Sequence, residues 1–493
     1  MTSLPDTSSA PAKHPRGIYT LFFTEMWERM SYYGMRALLI LYMTALPAKG
    51  GMGLPDKVAA AIYGLYVCGV YLVALPGGWI ADRLISPRNA VLYGGIIIAM
   101  GHLTLAVPGD ASFFGGLLLV VLGTALLKPC ASSLVGQLYP EGGARRDAGF
   151  TLFYMGVNVG GFLGPIVCSY LGERWNWHWG FAAAGVGMIA GVIQFALTQH
   201  HMGDAGIRPA HPSATPKRHW TAVGVALAGV LLVAGLAMSG LLVINPVVVA
   251  KFTSLVLGLM AVGWFAWTFA FGGLTTDEKK RLGVLAILFV ASAVFWSGFE
   301  QAGSSMNLFA ERFTDRQMFG GEIPTGWFQS INPVFVILFA PAFSWLWLAL
   351  ARRGWFPSVA AKFASGLLLL ALGFIVLHFA AKLALAQGKV LPVWLLGTYL
   401  LLTWGELGLS PVGLSYVTKL APVRLSTQTM GIWFLATAMG NLLAGLLAGE
   451  ATNHESPDAM PRVFMQVAIT SGITAVILVL LARPFRKWTA GIR

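Results

Sequence analysis

Apolar stretches of about 20 residues, divided by short polar segments, recur along the whole chain. An α-helix of that length crosses the hydrocarbon core of a bilayer, so the pattern predicts about fourteen membrane spans. A polar stretch, 201–218, follows the sixth span, and a charged run follows the eighth, which groups the spans as six, two and six. The predicted spans are 17–46, 57–82, 88–108, 111–139, 148–172, 179–200, 219–240, 246–273, 282–310, 323–351, 357–387, 391–418, 424–449 and 460–482.

The composition agrees with a membrane protein. Of the 493 residues, 56% are hydrophobic and 11% are charged, against roughly 25% charged in a soluble domain. The net charge of +13 is also typical of nucleic-acid-binding proteins, but here Lys and Arg form short clusters between apolar segments, as the positive-inside rule requires. The cysteines have neither metal nor disulfide spacing. We therefore expect an integral membrane protein with no nucleic acid partner and no metal.

The distribution of basic residues predicts the orientation of the chain. With a cytoplasmic N-terminus, the cytoplasmic segments hold about 20 Lys and Arg and the other side about nine, the expected bias. An even number of spans then places both termini in the cytoplasm. We expect a monomer. The predicted segments are a polar tail (1–16), a six-helix bundle (17–200), a linker with two extra helices (201–280), a second six-helix bundle (281–485) and a cytoplasmic tail (486–493).

Ionisable residues lie inside several spans, where each charge near the helix centre costs about 2.5–3.5 kcal/mol. Such residues are functional by default. Pro129 weakens the helix next to Lys128 and directs this lysine inward, with snorkelling to an interface as the alternative. Glu406 and Ser410 lie in a Gly- and Pro-interrupted helix, which is typical of a transport cavity. The charged residues predicted inside the membrane are Glu25, Glu28, Arg29, Arg36, Lys128, Glu300, Lys362 and Glu406.

One face of the first span is charged and aromatic. At about 100° per residue, a single stripe contains Glu25, Glu28, Arg29, Tyr32, Tyr33 and Arg36. Pairing with an arginine and protonation compete for the same carboxylate, and this competition is the physical basis of proton coupling. A purely structural ladder of ion pairs is the alternative. The residues predicted to carry proton coupling are Glu25, Glu28, Arg29 and Glu300, the last lying opposite Arg36.

The six-two-six grouping and one motif resemble a large class of transporters. Two six-helix bundles joined by a polar linker are typical of proteins that rock around a central site. Residues 77–83, GGWIADR, resemble the cytoplasmic signature of the major facilitator superfamily. The resemblance implies an all-α integral membrane protein with the major facilitator fold, in which two extra helices lie between the bundles. It also implies a gating and structural role for Asp82 and Arg83.

Four further motifs resemble one family within that superfamily, the proton-dependent oligopeptide transporter family, also called the peptide/nitrate transporter family. Residues 25–34, EMWERMSYYG, look like its ExxERFxYYG signature, with Met30 where Phe is usual. Animal members place a histidine in the second span, near Gly64 here, so proton uptake must rest on carboxylates. The other motifs are 150–160 (FTLFYMGVNVG), 295–301 (FWSGFEQ) and 329–333 (QSINP).

The resemblance implies a bipolar substrate site between the two bundles. The substrate carboxylate would meet Arg36 and Lys128, with Tyr33 nearby. The substrate amino group would meet Glu406, Asn158 and Asn332. The side-chain pockets would be lined by Tyr32, Tyr71, Trp296 and Trp433, with Ser410 in the same substrate-binding region. Packing is the alternative for the two tryptophans, and a bridge between helices is the alternative for the two asparagines.

The function that the resemblance implies is proton-coupled symport of di- and tripeptides into the cell by alternating access. The two additional helices are typical of prokaryotic members, so the expected location is a bacterial inner membrane. The proton gradient would be the driving force, and no cofactor is expected. The same fold carrying nitrate, an amino acid or a peptide-like drug is the alternative. Nitrate is disfavoured because the full Glu-x-x-Glu-Arg motif is present and the histidine is absent. A membrane enzyme is disfavoured because the sequence has no His-Glu-x-x-His, Gly-x-Ser-x-Gly or phosphate-loop motif.

Overall fold

The computed structural model describes residues 14–318, 320–354, 357–451 and 458–489, and each of the fourteen predicted spans corresponds to helix in it. Two spans are divided, the second into α2 and α3 and the ninth into α10 and α11. Within these described ranges, eleven helical spans are both long and apolar enough to cross a bilayer. The helices are α1 Gly17–Thr44, α2 Asp56–Leu72, α3 Ala74–Ile80, α4 Pro87–Leu105, α5 Asp110–Gln137, α6 Gly143–Arg174, α7 Trp177–Thr198, α8 Pro216–Met238, α9 Pro246–Phe271, α10 Thr276–Phe299, α11 Ser305–Phe313, α12 Ile331–Arg352, α13 Val359–Gln387, α14 Val393–Leu420, α15 Ser426–Ala451 and α16 Ala459–Trp488.

Three helices extend at least five residues beyond one end of their predicted spans. Helix α6 begins at Gly143 rather than 148, α10 begins at Thr276 rather than 282, and α16 continues to Trp488 rather than 482. The added turns are rich in charged residues, which a search for apolar stretches does not include. At the start of α10, Thr275 and Glu278 form a reciprocal capping box that fixes the first turn.

Helices α1–α7 form an N-terminal bundle, and α10–α16 form a C-terminal bundle. In the first, α1 packs on α6 and α7 while α4 packs on α5; in the second, α13 packs on α14 and α16. The two bundles meet along α2 and α15. The predicted fold class, an all-α membrane protein with the major facilitator fold and two extra helices, is confirmed.

Close helix packing places the charged stripe of α1 next to α6. A Cβ at Gly160 or Gly164 of α6 would clash with the backbone carbonyls of Met26 and Met30 on α1. Only glycine therefore allows the two helices to approach so closely. This contact fixes α1 in the interior of the N-terminal bundle, with its charged residues away from the surrounding lipid.

The two extra helices, α8 and α9, have different environments. Helix α9 packs on both α2 and α15, so it covers the line along which the bundles meet. None of the residues Pro216–Met238 of α8, all of which the structure describes, is buried. The segment before α8 is attached to the N-terminal bundle, where Arg88 Nη2 donates to the carbonyls of Gly203 and Ala205 at 2.6 and 2.7 Å.

Two short segments connect α11 to α12. A two-residue hairpin, β1 Gln317–Met318 with β2 Gly321–Glu322, lies between α11 and α12, and a short 3-10 helix, Thr325–Ser330, leads into α12. Because the spans are even in number, α1 begins and α16 ends at the same membrane face. We call this the terminal face and the other the opposite face.

Candidate functional site

Three charged residues of α1 form one buried cluster. Glu25, Glu28 and Arg29 are 5%, 1% and 4% exposed. Arg29 Nη2 donates to Glu28 Oε1 at 2.7 Å, its Nε contacts Glu28 Oε2, and its Nε lies 3.4 Å from Glu25 Oε1. Two carboxylates thus share one guanidinium, which leaves a formal charge of −1 when both are ionised. A group of this kind can take up one proton and become neutral.

Aromatic rings enclose the Arg29 guanidinium on its other side. Its central carbon lies 4.9 Å from the ring centre of Tyr32 and 5.8 Å from that of Tyr33. Cations are attracted to the faces of such rings within about 6 Å. The sequence spacing that puts these residues on one helical face therefore also produces the contacts expected of that face.

A second ion pair, Arg36 with Glu300, joins the two bundles. Arg36 Nη2 lies 2.7 Å from Glu300 Oε2, and both side chains are almost fully buried. Arg36 Nε also donates to the hydroxyl of Tyr63 at 2.6 Å. Glu300 begins the short 3-10 segment Glu300–Gly303, where the helix is interrupted between α10 and α11. The pair is thus located at the point where this span bends.

A polar cluster in the C-terminal bundle surrounds Glu406. Asn332 Nδ2 donates to Glu406 Oε2 at 3.0 Å and to the hydroxyl oxygen of Thr403, also at 3.0 Å. The Thr403 hydroxyl in turn donates to the Tyr399 carbonyl at 2.7 Å. Because that hydroxyl has a single proton, its oxygen can only accept from Asn332. The amide of Asn332 is therefore fixed with its nitrogen toward Thr403 and Glu406.

Lys128 of α5 points toward α2 rather than toward an interface. Its Nζ lies 4.0 Å from the centre of the Tyr71 ring. The contact is of the cation–π type, in which the face of an aromatic ring attracts a cation. Lys128 and Arg36 therefore supply positive charge from the N-terminal bundle, whereas Glu406 supplies negative charge from the C-terminal bundle.

Hydrogen bonds close the space between the bundles toward the opposite face. Glu173, at the end of α6, accepts from the backbone N–H groups of Thr325 and Gly326 at 2.6 and 2.9 Å. Deeper in the membrane, Ser330 donates to the Phe162 carbonyl at 2.8 Å. Near the membrane surface, Arg312 holds Asp56 through two hydrogen bonds of 2.6 and 2.9 Å. These contacts all lie in the half of the molecule remote from the terminal face.

Residues 88–463 match the family model that describes the POT family, which covers more than half of the chain. The chain belongs to the POT family. It is 44% identical over 486 residues to the peptide transporter YePEPT of Yersinia enterocolitica, with 96% of this chain and 95% of that one covered. It is 33% identical over 509 residues to a di-/tripeptide transporter of Lactococcus lactis, with both chains fully covered.

Solved POT structures have the same fold. The crystal structure of a mutant peptide transporter POT in complex with alafosfalin superimposes with a TM-score of 0.89 at 38% identity, and the alignment covers 97% of each chain. This chain is therefore a membrane transporter and not an enzyme.

In this POT transporter, Asp82 and Arg83 lie at the terminal face, away from the buried ion pairs. They belong to a π-helical turn, Ala81–Ile85, and their carbonyls accept from the backbone N–H groups of His211 and Ser213 at 2.9 and 3.1 Å. The segment that precedes α8 is thus hydrogen-bonded to this motif through the backbone. The gating role of the two side chains stays a prediction.

Three other predicted POT site residues have mainly packing or intrahelical contacts. Trp296 packs at ring distances of 5.5 Å on Phe295 and Phe299, and Trp433 lies 6.2 Å from Phe363. Asn158 donates to the carbonyl of residue 154 in its own helix. The side chain of Ser410 lies outside the described residues. The packing alternative therefore accounts for the described contacts of both tryptophans.

Lys362 is not near the centre of its helix. Helix α13 begins at Val359, so Lys362 lies in its first turn, where its Nζ is 4.9 Å from the Trp347 ring centre. The sequence placed Lys362 inside the membrane because the predicted span, 357–387, began before the helix does. Lys362 is therefore a residue of the terminal membrane surface and has no place among the buried charges.

Two positioning residues were not found from the sequence. Tyr63 holds Arg36, but it lies on another span and no local motif marks it. Thr403 holds Asn332 and precedes Glu406 by three positions, so both project from the same helical face. A search for polar residues one turn from each buried charge would have identified Thr403 but not Tyr63.

Proposed function

We propose that this POT transporter imports di- and tripeptides together with protons by alternating access, with both termini in the cytoplasm of a bacterial cell and the monomer as the working unit. The observation that carries the proposal is the separation of opposite charges between the two bundles. Arg36 and Lys128 belong to one bundle, and Glu406 with Asn332 belongs to the other. A zwitterion between the bundles would place its carboxylate on the first pair and its ammonium group on the second.

The relatives support the cargo. Two relatives that match this chain over nearly its whole length are named as a peptide transporter and a di-/tripeptide transporter. A short peptide has both a free carboxylate and a free ammonium group, separated by at least one peptide unit. The charge arrangement of this site fits that chemistry, whereas nitrate would leave Glu406 without a cationic partner.

The ion pairs support a coupling mechanism. A substrate carboxylate bound to Arg36 would compete with Glu300 for the same guanidinium, because both anions use its N–H donors. Release of Glu300, together with its protonation, would remove a contact that holds the bundles together. In the cluster of Glu25, Glu28 and Arg29, proton uptake would remove the surplus negative charge. Proton and peptide would then each favour the same change of conformation.

Uptake of labelled dialanine into proteoliposomes with an imposed inward proton gradient tests the proposal. We expect accumulation that a protonophore abolishes and that di- and tripeptides inhibit, but not nitrate or free alanine. Lys128→Ala should lose most of the uptake, while Lys217→Ala, at an exposed linker position, should retain it. Uptake that is insensitive to the protonophore would contradict coupling, and inhibition by nitrate or free alanine would favour the alternative cargo.

A further inference from the structure

A half-open pocket lies at the opposite face, where three separate parts of the chain meet. It is formed by the beginning of α2, the end of α15 and the beginning of α9. The pocket has a volume of about 170 Å³, several times the roughly 30 Å³ of a water molecule. Its lining residues are Lys57, Val247, Lys251, Leu443, Leu446, Leu447 and Glu450.

The polar residues of this pocket lie at the depth of lipid headgroups. Lys57 is the second residue of α2, Glu450 is the last but one of α15, and Lys251 lies in the second turn of α9. The start of α9 is fixed by Asn245, whose side chain accepts from the N–H groups of Val247 and Val248 at 3.0 and 3.3 Å. Both basic groups are thus held near the membrane surface by regular helix ends.

The apolar residues of the pocket lie deeper. Leu443, Leu446 and Leu447 precede Glu450 by one to two turns of α15, toward the hydrocarbon core. Charged groups near the surface above an apolar wall match an amphiphile that stands parallel to the membrane normal. A soluble anion would use only the upper part of the pocket.

The charges of the pocket favour an anion. Lys57 Nζ lies 2.8 Å from Glu450 Oε1, and the two side chains are 49% and 52% exposed. Among the residues that the structure describes, no carboxylate lies within ion-pair distance of Lys251. Two lysines and one glutamate leave a formal charge of +1. The Lys57 ammonium has three N–H donors, so it can pair with Glu450 and still donate to a second acceptor.

We propose that this pocket binds an anionic phospholipid, with its phosphodiester on Lys57 and Lys251 and an acyl chain along the leucines of α15. A phosphodiester carries a single negative charge and matches the +1 of the pocket. Free phosphate shares this headgroup chemistry but lacks the chain that would cover the apolar wall. The proposal also assigns a role to α9, which supplies Lys251 and covers the line between the bundles.

Lipid binding should favour closure of the opposite face. Lys57 belongs to the N-terminal bundle and Glu450 to the C-terminal bundle, so opening at this face would separate the two sides of the pocket. A ligand shifts a conformational equilibrium only by its difference in affinity for the two states. An anionic lipid that needs both sides of the pocket therefore stabilises the conformation observed here.

Native mass spectrometry of the full-length protein, purified in detergent and mixed with phosphatidylglycerol or phosphatidylcholine, tests the site. We expect preferential retention of one phosphatidylglycerol molecule, reduced about tenfold in Lys251→Gln. Lys389→Gln, also at the opposite face but outside the pocket, should retain the lipid like the unaltered protein. Thermal unfolding in detergent, which should be the same for both variants, reports their folding independently of lipid.

Two outcomes would overturn the proposal. Equal retention of phosphatidylglycerol by Lys251→Gln and Lys389→Gln would show that the pocket does not select the lipid. Displacement of the bound lipid by millimolar inorganic phosphate would show a site for small anions, because the acyl chain would then contribute nothing. Neither measurement depends on transport, so the result is separate from that for peptide uptake.

Discussion

The two buried ion-pair regions of this transporter differ in what can break them. Glu25, Glu28 and Arg29 all belong to α1, so the distances between them do not change when the bundles move as rigid bodies. Arg36 and Glu300 belong to different bundles, so the same movement must separate them. A change of protonation or of rotamer is required to alter the first region, whereas rocking alone alters the second.

In the proposed mechanism, this difference separates proton coupling from gating. Removing one partner of a buried pair typically destabilises a protein by about 3–5 kcal/mol, because the remaining charge is left uncompensated. In the α1 cluster the charges stay paired in every conformation, so protonation of a carboxylate is the event that changes their interaction energy. In the pair between bundles the energy is present only when the opposite face is closed. The first region is therefore suited to sensing protons and the second to sensing conformation.

The largest effect is expected from the α1 cluster. Arg29→Ala leaves two buried carboxylates without a counter-charge, so gradient-driven uptake should be abolished and the protein destabilised by about 3–5 kcal/mol. Glu28→Gln keeps a side chain of the same shape and should also abolish driven uptake, while counterflow partly survives. Uptake into proteoliposomes, measured with and without a proton gradient, tests the two variants. Full driven uptake by both variants would contradict the assignment of coupling to this cluster.

A smaller and different effect is expected from the pair between the bundles. Glu300→Gln should shift the population toward an open opposite face about tenfold, equivalent to ~1.4 kcal/mol. Spin labels at Trp175→Cys and Leu391→Cys, exposed on that face in different bundles, would measure the change as a distance distribution. The double variant Arg36→Glu with Glu300→Arg should restore the closed distance but not peptide uptake.

The outcome of the double variant sharpens the comparison. A closed distance without uptake would show that the pair closes the face and that Arg36 has a second task in substrate binding. A distance that stays open would mean that closure depends on the particular geometry of Arg36, including its hydrogen bond to Tyr63.

The same difference explains how much of the site was predictable. The contacts within α1 follow from helical periodicity, and the sequence placed these residues on one face. Contacts between helices depend on tertiary packing, for which a single sequence has no local pattern. Glu173, for example, lies at the end of a span and binds two backbone N–H groups more than 150 residues away. Almost every residue has a backbone N–H group, so residue types give no signal for such a partner. The sequence therefore did not predict the contacts of Glu173.

The span boundaries show a related limit. Apolar stretches located every span, because the hydrocarbon core has a fixed thickness. They did not locate the helical turns that project beyond the core, such as the first turns of α6 and α10. Helix continuity there depends on capping, which Thr275 and Glu278 indicate, rather than on hydropathy. The error over Lys362 is of the opposite kind, because there the predicted span began before the helix.

The polar cluster of the C-terminal bundle extends the comparison to substrate binding. Asn332, Thr403 and Glu406 are all within one bundle, so rocking should not disturb them. Thr403→Val removes the acceptor that fixes the Asn332 amide and should weaken peptides with a free amino group about fivefold to tenfold, within the ~1 kcal/mol range of a hydrogen bond. Thr403→Ser keeps the hydroxyl and should retain the affinity. Competition by amino-blocked and free dipeptides measures the difference.

Glu406→Ala supplies the reference for that measurement. It should weaken free peptides far more than blocked ones, in the same direction as Thr403→Val but by a larger factor. Equal losses for free and blocked peptides would remove Glu406 from the amino-group role. A loss in Thr403→Val without one in Glu406→Ala would mean that Thr403 acts on packing and not through Asn332.

The smallest effect is expected where a pair between the bundles is exposed. Lys57 and Glu450 also join the bundles, but both side chains are about half exposed, and exposed pairs contribute only about 0–1 kcal/mol. Glu450→Gln should therefore shift the distance distribution between residues 175 and 391 less than Glu300→Gln does, by at most about fivefold. If Glu450→Gln opened the opposite face as far as Glu300→Gln does, burial would not explain a difference in strength between the two ion pairs. The position of a pair across the interface would then determine closure, whatever its depth.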